Sequence, residues 1–530
     1  MDNITELNAY DTMPYPPYSF PVTHIGRLGA IGRLFSLPAT SPDKARVLEL
    51  GCSSGTNLLA MAQLFPESEF VGIDYSAKQI QDAEEALAAT GLSNVRFVQA
   101  DISALPEDLG LFDYIITHGI YSWVPDSVKE AILRISKENL KPEGVAYISY
   151  NVLPGWRMRG ALRDMMLMHT AGIKEMPAKV AQGKALIKFL ADSCSEDTPY
   201  GKYLRQELEL LKNVDDNYIA HDFFEIENDA LYLTDFLKAT AAQNLQYLGD
   251  AEPATMVVDN LPAEAAKTLK SLNLNLLATE QYMDFVRNRM FRSSLLCHPE
   301  AQLNRNVDPK CLEGLEVTSL IGLKTPRAEG QPAVFVGPAG NEFTVSEAIP
   351  ADIFSRVAAL GRTTKPVSEI VEETAAAFAA ELEGKDPAAV HSDLGRLLIH
   401  GYFKKMLDFT IGPASQRTAQ APAEKPEVLP LARWQTSRRQ RVSSTRLEML
   451  TADPFVAKFI GLCDGTRDRG AIIDALTESL ANKEYQLNEN NQPIEDMERG
   501  RFVIERLYDG SLENLEKLGL LVPATNGQHS

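Results

Sequence analysis

The chain has 530 residues, of which 45% are hydrophobic and 23% are charged, and its formal net charge is -20. These proportions are typical of a folded protein with several domains and exclude a largely disordered chain. So negative a chain should repel phosphate backbones, which disfavours nucleic acid as a partner.

The cysteines indicate neither a metal site nor a disulfide framework. Five are scattered along the chain, at Cys52, Cys194, Cys297, Cys311 and Cys463, and none forms a CxxC pair. We therefore expect no structural metal and a reducing compartment. The sequence also shows no signal peptide and no apolar run long enough to span a membrane, so the expected location is the cytoplasm.

Residues 1–44 differ from the following part of the chain in their pattern of prolines and aromatic residues. Prolines at positions 14, 16, 17 and 21 interrupt the aromatic stretch YDTMPYPPYSFP and favour extended structure. We predict an N-terminal arm here, which either packs on the protein surface or covers a site as a lid.

From residue 45 onwards, short apolar runs alternate with helical patterns. This alternation predicts a doubly wound α/β sheet of the Rossmann-like type. The first five predicted strands are 45–50, 69–74, 94–101, 112–118 and 144–151, and the helices between them are 57–65, 76–90 and 126–140.

Residues 157–228 interrupt this alternation with an amphipathic helical section. Two further strand-like runs follow at 245–252 and 289–297. We predict that 157–228 is an insertion and that the sheet resumes after it, within one domain covering 45–300. The alternative is a separate helical domain with no return to the sheet.

The last part of the chain contains a faint internal repeat. Residues 356–373 resemble residues 459–476, with Gly361 matching Gly465, and each copy continues into a helix and an apolar strand. This order predicts two winged-helix-like domains, at 301–412 and 429–530, joined by a Pro/Ala-rich linker at 413–428. The basic stretch RWQTSRRQR (433–441) is interpreted as an ion-pairing or solvated surface, or as an anion-binding patch.

The stretch LELGCSSGTN (48–57) carries the main functional signal. A strand turns through a glycine-containing loop into a helix, whose free N–H groups can meet an anionic group. The dinucleotide fingerprint fails because Ser53 stands where its middle glycine should be. The nucleophile-elbow pattern fits literally, but the strands that an α/β-hydrolase needs before its serine are missing.

An S-adenosylmethionine site fits better, because two acidic residues follow at successive strand ends. Asp74 can accept hydrogen bonds from ribose hydroxyls, and Asp101 can bind the adenine amino group with Ile102 beside the ring. The predicted cofactor-binding residues are Gly51, Cys52, Ser53, Gly55, Asn57, Asp74, Tyr75, Asp101, Ile102 and His118.

The loop THGIYSWVP (117–125) follows the fourth strand, where the reacting methyl group should lie. It lacks the Asn/Asp-Pro-Pro-aromatic motif of many enzymes that methylate amide or ring nitrogens, which leaves a lysine amine, a carboxylate or a hydroxyl as acceptor. Tyr121 and Trp123 are predicted to line the acceptor channel, with Asn151 and Trp156 opposite. His118 is predicted to contact the cofactor or to aid deprotonation; simple packing is the alternative for His118 and Trp123.

Residues 45–150 resemble the class I S-adenosylmethionine-dependent methyltransferases. A narrower resemblance includes PYPPYSFPVTH (14–24), YNVLPGW (150–156), NLQYLGDAE (244–252) and DFVRNRMFRSSLLCH (284–298). Together these stretches look like methyltransferases with a methyltransferase regulatory domain, such as the rickettsial-type protein lysine methyltransferases.

The resemblance implies a homodimer with a helical dimerisation segment, an S-adenosylmethionine cofactor and a protein substrate with accessible lysines. The resulting hypothesis is a methyltransferase acting on protein lysine. A small-molecule methyltransferase and a non-catalytic sensor of S-adenosylmethionine remain as alternatives.

Overall fold

The structure is a computed structural model that describes residues 13–105, 109–412, 424–489 and 492–522. The first part of the predicted arm, 1–12, and most of the predicted linker, 413–423, lie outside the described residues. No helix in the described part of the chain is both long and apolar enough to cross a membrane.

A seven-stranded sheet forms the core of the first half of the chain, in the order β3-β2-β1-β4-β5-β7-β6. The first five strands are parallel, and β7 runs antiparallel to both of its neighbours. The Rossmann-like prediction is therefore confirmed. The strands are β1 (Arg46–Leu50), β2 (Glu69–Asp74), β3 (Val95–Gln99), β4 (Phe112–Thr117), β5 (Leu140–Asn151), β6 (Gln246–Asp250) and β7 (Phe291–Cys297).

Helices cover both faces of this sheet, as its continuous apolar strands require. Three helices pack on one face: α1 (Ile25–Leu34), α2 (Thr56–Ala62) and α3 (Ala77–Thr90). The other face is covered by α4 (Asp126–Glu138) and, much later in the chain, by the helix that follows the insertion. In α4 the buried residues Ile132 and Ile135 face the sheet.

The helical section interrupts the sheet as predicted. Its four helices share a small apolar core of their own, which includes Leu162, Ile187 and Phe223. The chain then returns to the sheet through α9 and, between the last two strands, α10 and α11. These helices are α5 (Trp156–His169), α6 (Met176–Ser193), α7 (Pro199–Asn213), α8 (Asp216–Phe224), α9 (Leu233–Ala242), α10 (Ala263–Ser271) and α11 (Leu276–Arg287).

The region after the sheet combines two small sheets with three helices. One sheet has the order β12-β8-β13, and the other has the order β11-β10-β9. The elements are β8 (Leu315–Ser319), β9 (Gly322–Thr325), β10 (Ala333–Val336), β11 (Glu342–Val345), α12 (Ala348–Leu360), β12 (Thr364–Pro366), α13 (Val367–Ala377), α14 (Pro387–Phe403) and β13 (Leu407–Ile411).

Helix α1 packs closely on β13 and so joins this region to the large sheet. A Cβ at Gly26 would lie 2.4 Å from Thr410 Oγ1, so the close approach requires glycine. Arg27 adds an ion pair to Asp408 at 2.7 Å.

The C-terminal region repeats the order of helix, turn and two helices that the sequence predicted. Gly361 and Gly465, the matched glycines, both have positive φ, at 56° and 79°. The elements are α15 (Pro430–Thr436), β14 (Arg441–Ser443), β15 (Met449–Thr451), α16 (Pro454–Leu462), α17 (Arg469–Ala481), β16 (Asn488–Glu489), β17 (Gln492–Pro493) and α18 (Met497–Lys517).

Candidate functional site

The glycine-containing loop lies at the carboxyl end of β1, beside the end of β2. The backbone N–H groups of Gly51 and Cys52 both donate to the Ile73 carbonyl, at 2.8 and 3.0 Å. The Ser53 N–H donates to Asp74 Oδ2 at 2.8 Å. The loop and the acid at the end of β2, both predicted for the cofactor, are thus brought together.

Glycine is required at both Gly51 and Gly55, whose φ angles are 75° and 70°. A Cβ at Gly51 would lie 2.4 Å from Ile120 Cδ1, and one at Gly55 would lie 2.3 Å from Phe97 Cζ. Gly51 therefore lets the loop after β4 come down onto the loop after β1. Gly55 instead serves close packing between the loop and β3.

The other residues predicted to bind the nucleoside part of the cofactor lie further along the same edge of the sheet. Asp101 is exposed, and its Oδ1 accepts from the Ser103 N–H at 2.8 Å. Ile102 next to it is buried, whereas the Tyr75 side chain is 64% exposed. The order of these residues across β1, β2 and β3 is the one predicted.

Asn57 serves mainly to hold the arm. Its Oδ1 accepts from the Phe20 N–H at 3.0 Å, and its Nδ2 donates to Thr23 Oγ1 at 3.0 Å and to Glu49 Oε1 at 2.9 Å. The side chain is thus engaged by protein groups rather than presented to a cofactor. Cys52 likewise buries its thiol in the core, so only its backbone faces the loop.

Glu49, which the sequence analysis did not single out, is buried near the end of β1. Burial raises the pKa of Glu49 to about 8, although its hydrogen bond from Asn57 opposes the rise. Its other oxygen, Oε2, has no partner. The signal was present in the sequence, since Glu49 is a charged residue inside the apolar run VLELG.

Four buried polar atoms near the carboxyl ends of the strands have no hydrogen-bond partner among the described residues. They are Glu49 Oε2 on β1, Ser53 Oγ in the following loop, Thr117 Oγ1 on β4 and Asn151 Nδ2 on β5. Such groups are costly unless something bonds them. A polar ligand with an ammonium group and hydroxyls, such as S-adenosylmethionine, fits this set. No group of three or more His, Cys, Asp or Glu side chains in the described ranges could hold a metal ion.

His118 lies at the end of β4 between the arm and the last strands of the sheet. Its ring is 3.9 Å from the Phe20 ring, measured between centroids, and 6.1 Å from that of Phe291. Nδ1 is 2.8 Å from Tyr147 Oη, which is itself 2.9 Å from Ser293 Oγ. Burial lowers the pKa of His118 to about 4, so the ring is neutral at physiological pH.

The hydroxyls around His118 favour one tautomer of its ring. If Ser293 donates to Tyr147 and Tyr147 donates to Nδ1, each of these two hydroxyl protons has an acceptor. The Ser149 hydroxyl also lies 3.5 Å from Nδ1 and can donate to it. In this arrangement Nδ1 is the acceptor, and Nε2 carries the proton of the neutral ring.

Tyr121 is not on an open channel. Its side chain is 2% exposed, and its ring packs edge-to-face on Phe236 at 5.4 Å and on Tyr150 at 6.2 Å. A short 3₁₀ turn over Tyr121–Trp123 directs it under the loop. This position favours packing over the predicted contact with the acceptor.

Trp123 and Trp156, expected on opposite walls of the acceptor channel, are in direct contact. Their rings meet edge-to-face at 5.9 Å, and Trp156 Nε1 donates to Asn228 Oδ1 at 2.8 Å. Trp123 is half-buried, which leaves part of its ring to form a wall. Asn151 lies on the neighbouring strand end, where its N–H donates to Ser122 Oγ at 2.9 Å.

Comparison with family models divides the chain into three parts. Residues 41–210 match a model described as a methyltransferase domain. Residues 215–298 match a predicted methyltransferase regulatory domain, and residues 424–520 match the PKMT C-terminal winged helix domain. The winged-helix prediction for the C-terminal region is therefore confirmed.

Full-length relatives share this organisation. The chain is 32% identical over 529 residues to an uncharacterized protein of Rickettsia prowazekii. The aligned region covers 98% of this chain and 94% of the relative. The structure of PKMT2 from Rickettsia typhi superposes with a TM-score of 0.84 and 29% sequence identity. The superposition covers 96% of this chain and 100% of the PKMT2 chain. The same protein in complex with AdoHcy matches with a TM-score of 0.81. The chain belongs to the class I S-adenosylmethionine-dependent methyltransferases that carry a methyltransferase regulatory domain and a PKMT-type winged helix domain.

Proposed function

We propose that the protein transfers methyl groups from S-adenosylmethionine to lysine amines of protein substrates. The observation that carries the proposal is the strand-end site, where unpartnered buried polar atoms lie beside the aromatic loop after β4. The likeness to PKMT2, solved with AdoHcy, supports the same activity.

The cofactor, when bound, supplies a methyl group activated on a sulfonium. The proposed contacts use the backbone of Gly51–Ser53 and the Glu49 carboxylate for the amino-acid end of the cofactor. Asp74 is proposed to bind the ribose hydroxyls and Asp101 the adenine amino group, with Ile102 against the ring. Tyr75 is proposed as a solvent-side cover, because its ring is largely exposed.

The acceptor is proposed to approach between aromatic side chains. Phe20 from the arm and Phe291 from β7 flank His118 on one side, and Trp123 and Trp156 pair on the other. Such rings attract a cationic amine by its charge and restrict its direction of approach. Phe20 thereby gives the arm the role of a lid.

His118 is proposed as a hydrogen-bond donor rather than as a base. A lysine amine has a pKa of about 10.4 in model peptides, and it must lose its proton before it can attack. His118, with a pKa lowered to about 4 by burial, is too weak a base to hold that proton. Deprotonation is therefore assigned to desolvation of the amine between the aromatic rings, with loss of the proton to solvent.

The test is incubation of the protein with labelled S-adenosylmethionine and a bacterial lysate, followed by separation of protein from small molecules. Label on lysine in the protein fraction is the expected result. Label confined to the small-molecule fraction would favour the small-molecule alternative. Tight cofactor binding without any product would favour the sensor.

A substitution in the aromatic wall refines this test. Trp123→Ala should raise the KM for the acceptor about tenfold or more, with cofactor affinity preserved, because the wall is lost and the cofactor contacts are not. Phe502→Ala, which removes an exposed ring on the distant helix α18, is the matched control. An unchanged KM in Trp123→Ala would contradict the proposed wall.

A further inference from the structure

A cavity of about 910 Å³ separates the C-terminal region from the methyltransferase core. The cavity is lined by the arm, by the loop after β1 and by helix α3, which follows β2. The start of α8 and the basic stretch 433–441 complete the lining. None of the residues predicted to bind the cofactor lines it. Its volume is in the range of small-molecule sites, which run to about 1,000 Å³.

The charged residues in the wall of this cavity are paired, with one exception. The acids pair with basic partners in every case: Asp82 with Lys78, Glu85 with Arg438, Asp215 with Arg441, and Asp216 with Lys184. Arg439 also lines the cavity. Within the described ranges, its guanidinium forms neither an ion pair nor a hydrogen bond.

Arg439 is held in an unfavourable position for an unpaired cation. Its Nε is buried without a partner, and its guanidinium carbon lies 5.8 Å from the Trp434 ring centroid. Burial, together with the neighbouring Arg438, lowers the pKa of Arg439, although the charge of Asp82 in the same cavity opposes the change. An oxyanion would offset this cost, because the planar guanidinium matches carboxylate and phosphate oxygens.

Two neutral side chains that line the cavity also lack hydrogen-bond partners among the described residues. Ser54 belongs to the loop after β1 and is 6% exposed, and Gln79 belongs to α3 and is 1% exposed. Ser54 Oγ and both amide atoms of Gln79 are buried without hydrogen bonds to the described residues. These side chains supply neutral donors in the lining of the same cavity.

We propose that this cavity binds a small ligand through a phosphate or carboxylate group held by Arg439, with Ser54 and Gln79 as neutral donors. The site is separate from the proposed methyl-transfer site. The proposal holds whether or not the acceptor is lysine. It assigns the basic stretch 433–441 one binding residue, Arg439, and leaves its other arginines in ion pairs.

The test is isothermal titration of the full-length protein with inorganic phosphate and, separately, with citrate, each without and with saturating S-adenosylhomocysteine. Saturation keeps the probes out of the cofactor site. Binding of either probe is expected, and the tighter of the two identifies the group. Binding of neither probe, or binding that S-adenosylhomocysteine abolishes, would overturn the proposal.

Variants locate the binding. Arg439→Gln should weaken the tighter probe about tenfold or more, equivalent to about 1.4 kcal/mol. Arg438→Gln, which lines the same cavity but removes a side chain already paired with Glu85, should change it less than about threefold. Equal losses of probe affinity in the two variants would show general attraction by positive charge rather than a specific binding site. Ser54→Ala gives a second test if Arg439→Gln does not fold.

Discussion

Buried polar groups are treated in opposite ways at two places in the same sheet. Arg292 on β7 is 1% exposed and contacts three carboxylates, those of Asp250 on β6 and of Glu280 and Asp284 on α11, at 2.8 to 3.1 Å. At the ends of β1, β4 and β5, buried polar atoms have no partners. Glu280 Oε1 is an atom of the paired cluster that also lacks a hydrogen-bond partner among the described residues. We assign the paired cluster to stability of the fold and, under the proposed function, the strand-end atoms to binding of the cofactor.

The paired cluster should give the largest effect on stability. Arg292→Met leaves Glu280 buried without a cation, and it leaves Asp250 and Asp284 with Arg289 alone, at 2.9 and 3.9 Å. We expect a loss of about 3–5 kcal/mol in the free energy of unfolding. Urea denaturation monitored by circular dichroism measures it. Lys238→Met removes a cation that is 78% exposed, with an ion pair to Asp235, and should change stability by less than about 0.5 kcal/mol. Equal losses would erase the contrast between the two places.

Glu49, at the strand-end site where buried polar atoms are unpaired, should make the free energy of unfolding depend on pH. The folded protein holds this proton up to a pKa of about 8, well above the ordinary value of 4.5 for a glutamate. Between these two values the folded state binds more protons than the unfolded state, so stability should fall as pH rises, by roughly 5 kcal/mol over the whole window. Denaturation midpoints from pH 5 to 9 measure this slope. Glu49→Gln should flatten it, and a slope that survives in Glu49→Gln would assign it to other groups.

Cofactor binding should change the protonation state of Glu49. An ammonium group beside Glu49 favours its carboxylate form, so binding of S-adenosylhomocysteine near pH 7 should release a proton from the wild-type protein. Titration calorimetry in two buffers of different ionisation enthalpy measures the release. In Glu49→Gln it should disappear and affinity should fall; proton release that persists would place the titrating group elsewhere.

The hydroxyl chain to His118 should give a spectroscopic effect with little loss of stability. Tyr147→Phe removes the donor to Nδ1, so the two tautomers should become mixed. Nitrogen-15 NMR of labelled histidine should show Nε2 protonated in the wild-type protein and an averaged signal in the variant. This readout is independent of turnover. A wild-type ring protonated on Nδ1 would reverse the donor assignment.

The smallest effect is expected at Tyr121. Tyr121→Phe keeps the ring packed against Phe236 and Tyr150, so turnover and stability should both stay close to wild type. Steady-state kinetics with the acceptor found in the lysate experiment measures turnover. A large fall in kcat with KM unchanged would restore a catalytic role for its hydroxyl.

Local patterns predicted the elements well. All seven strands of the large sheet and the return to it after α8 follow from short apolar runs separated by helical periodicity, because these signals are contained in neighbouring residues. The glycine-containing loop and Asp74 could be placed together for the same reason, since parallel strands end at one edge.

Contacts between distant parts of the chain could not be predicted in this way. Tyr121 was expected on a channel, but its ring packs on Phe236, more than a hundred residues later. Asn57 was expected at the cofactor, but the arm uses its side chain. Each position depends on a partner that the local sequence does not reveal.

The position of β7 has a consequence for how this architecture is inherited. The model of the regulatory domain covers residues 215–298, and that segment supplies both β6 and β7. Because β7 lies between β5 and β6, excising the segment would expose the hydrogen-bonding edge of β5. The segment is therefore not a detachable module. A recombination event that exchanged it between relatives would have to preserve the register of six β5–β7 residue pairs, Ala146 to Asn151.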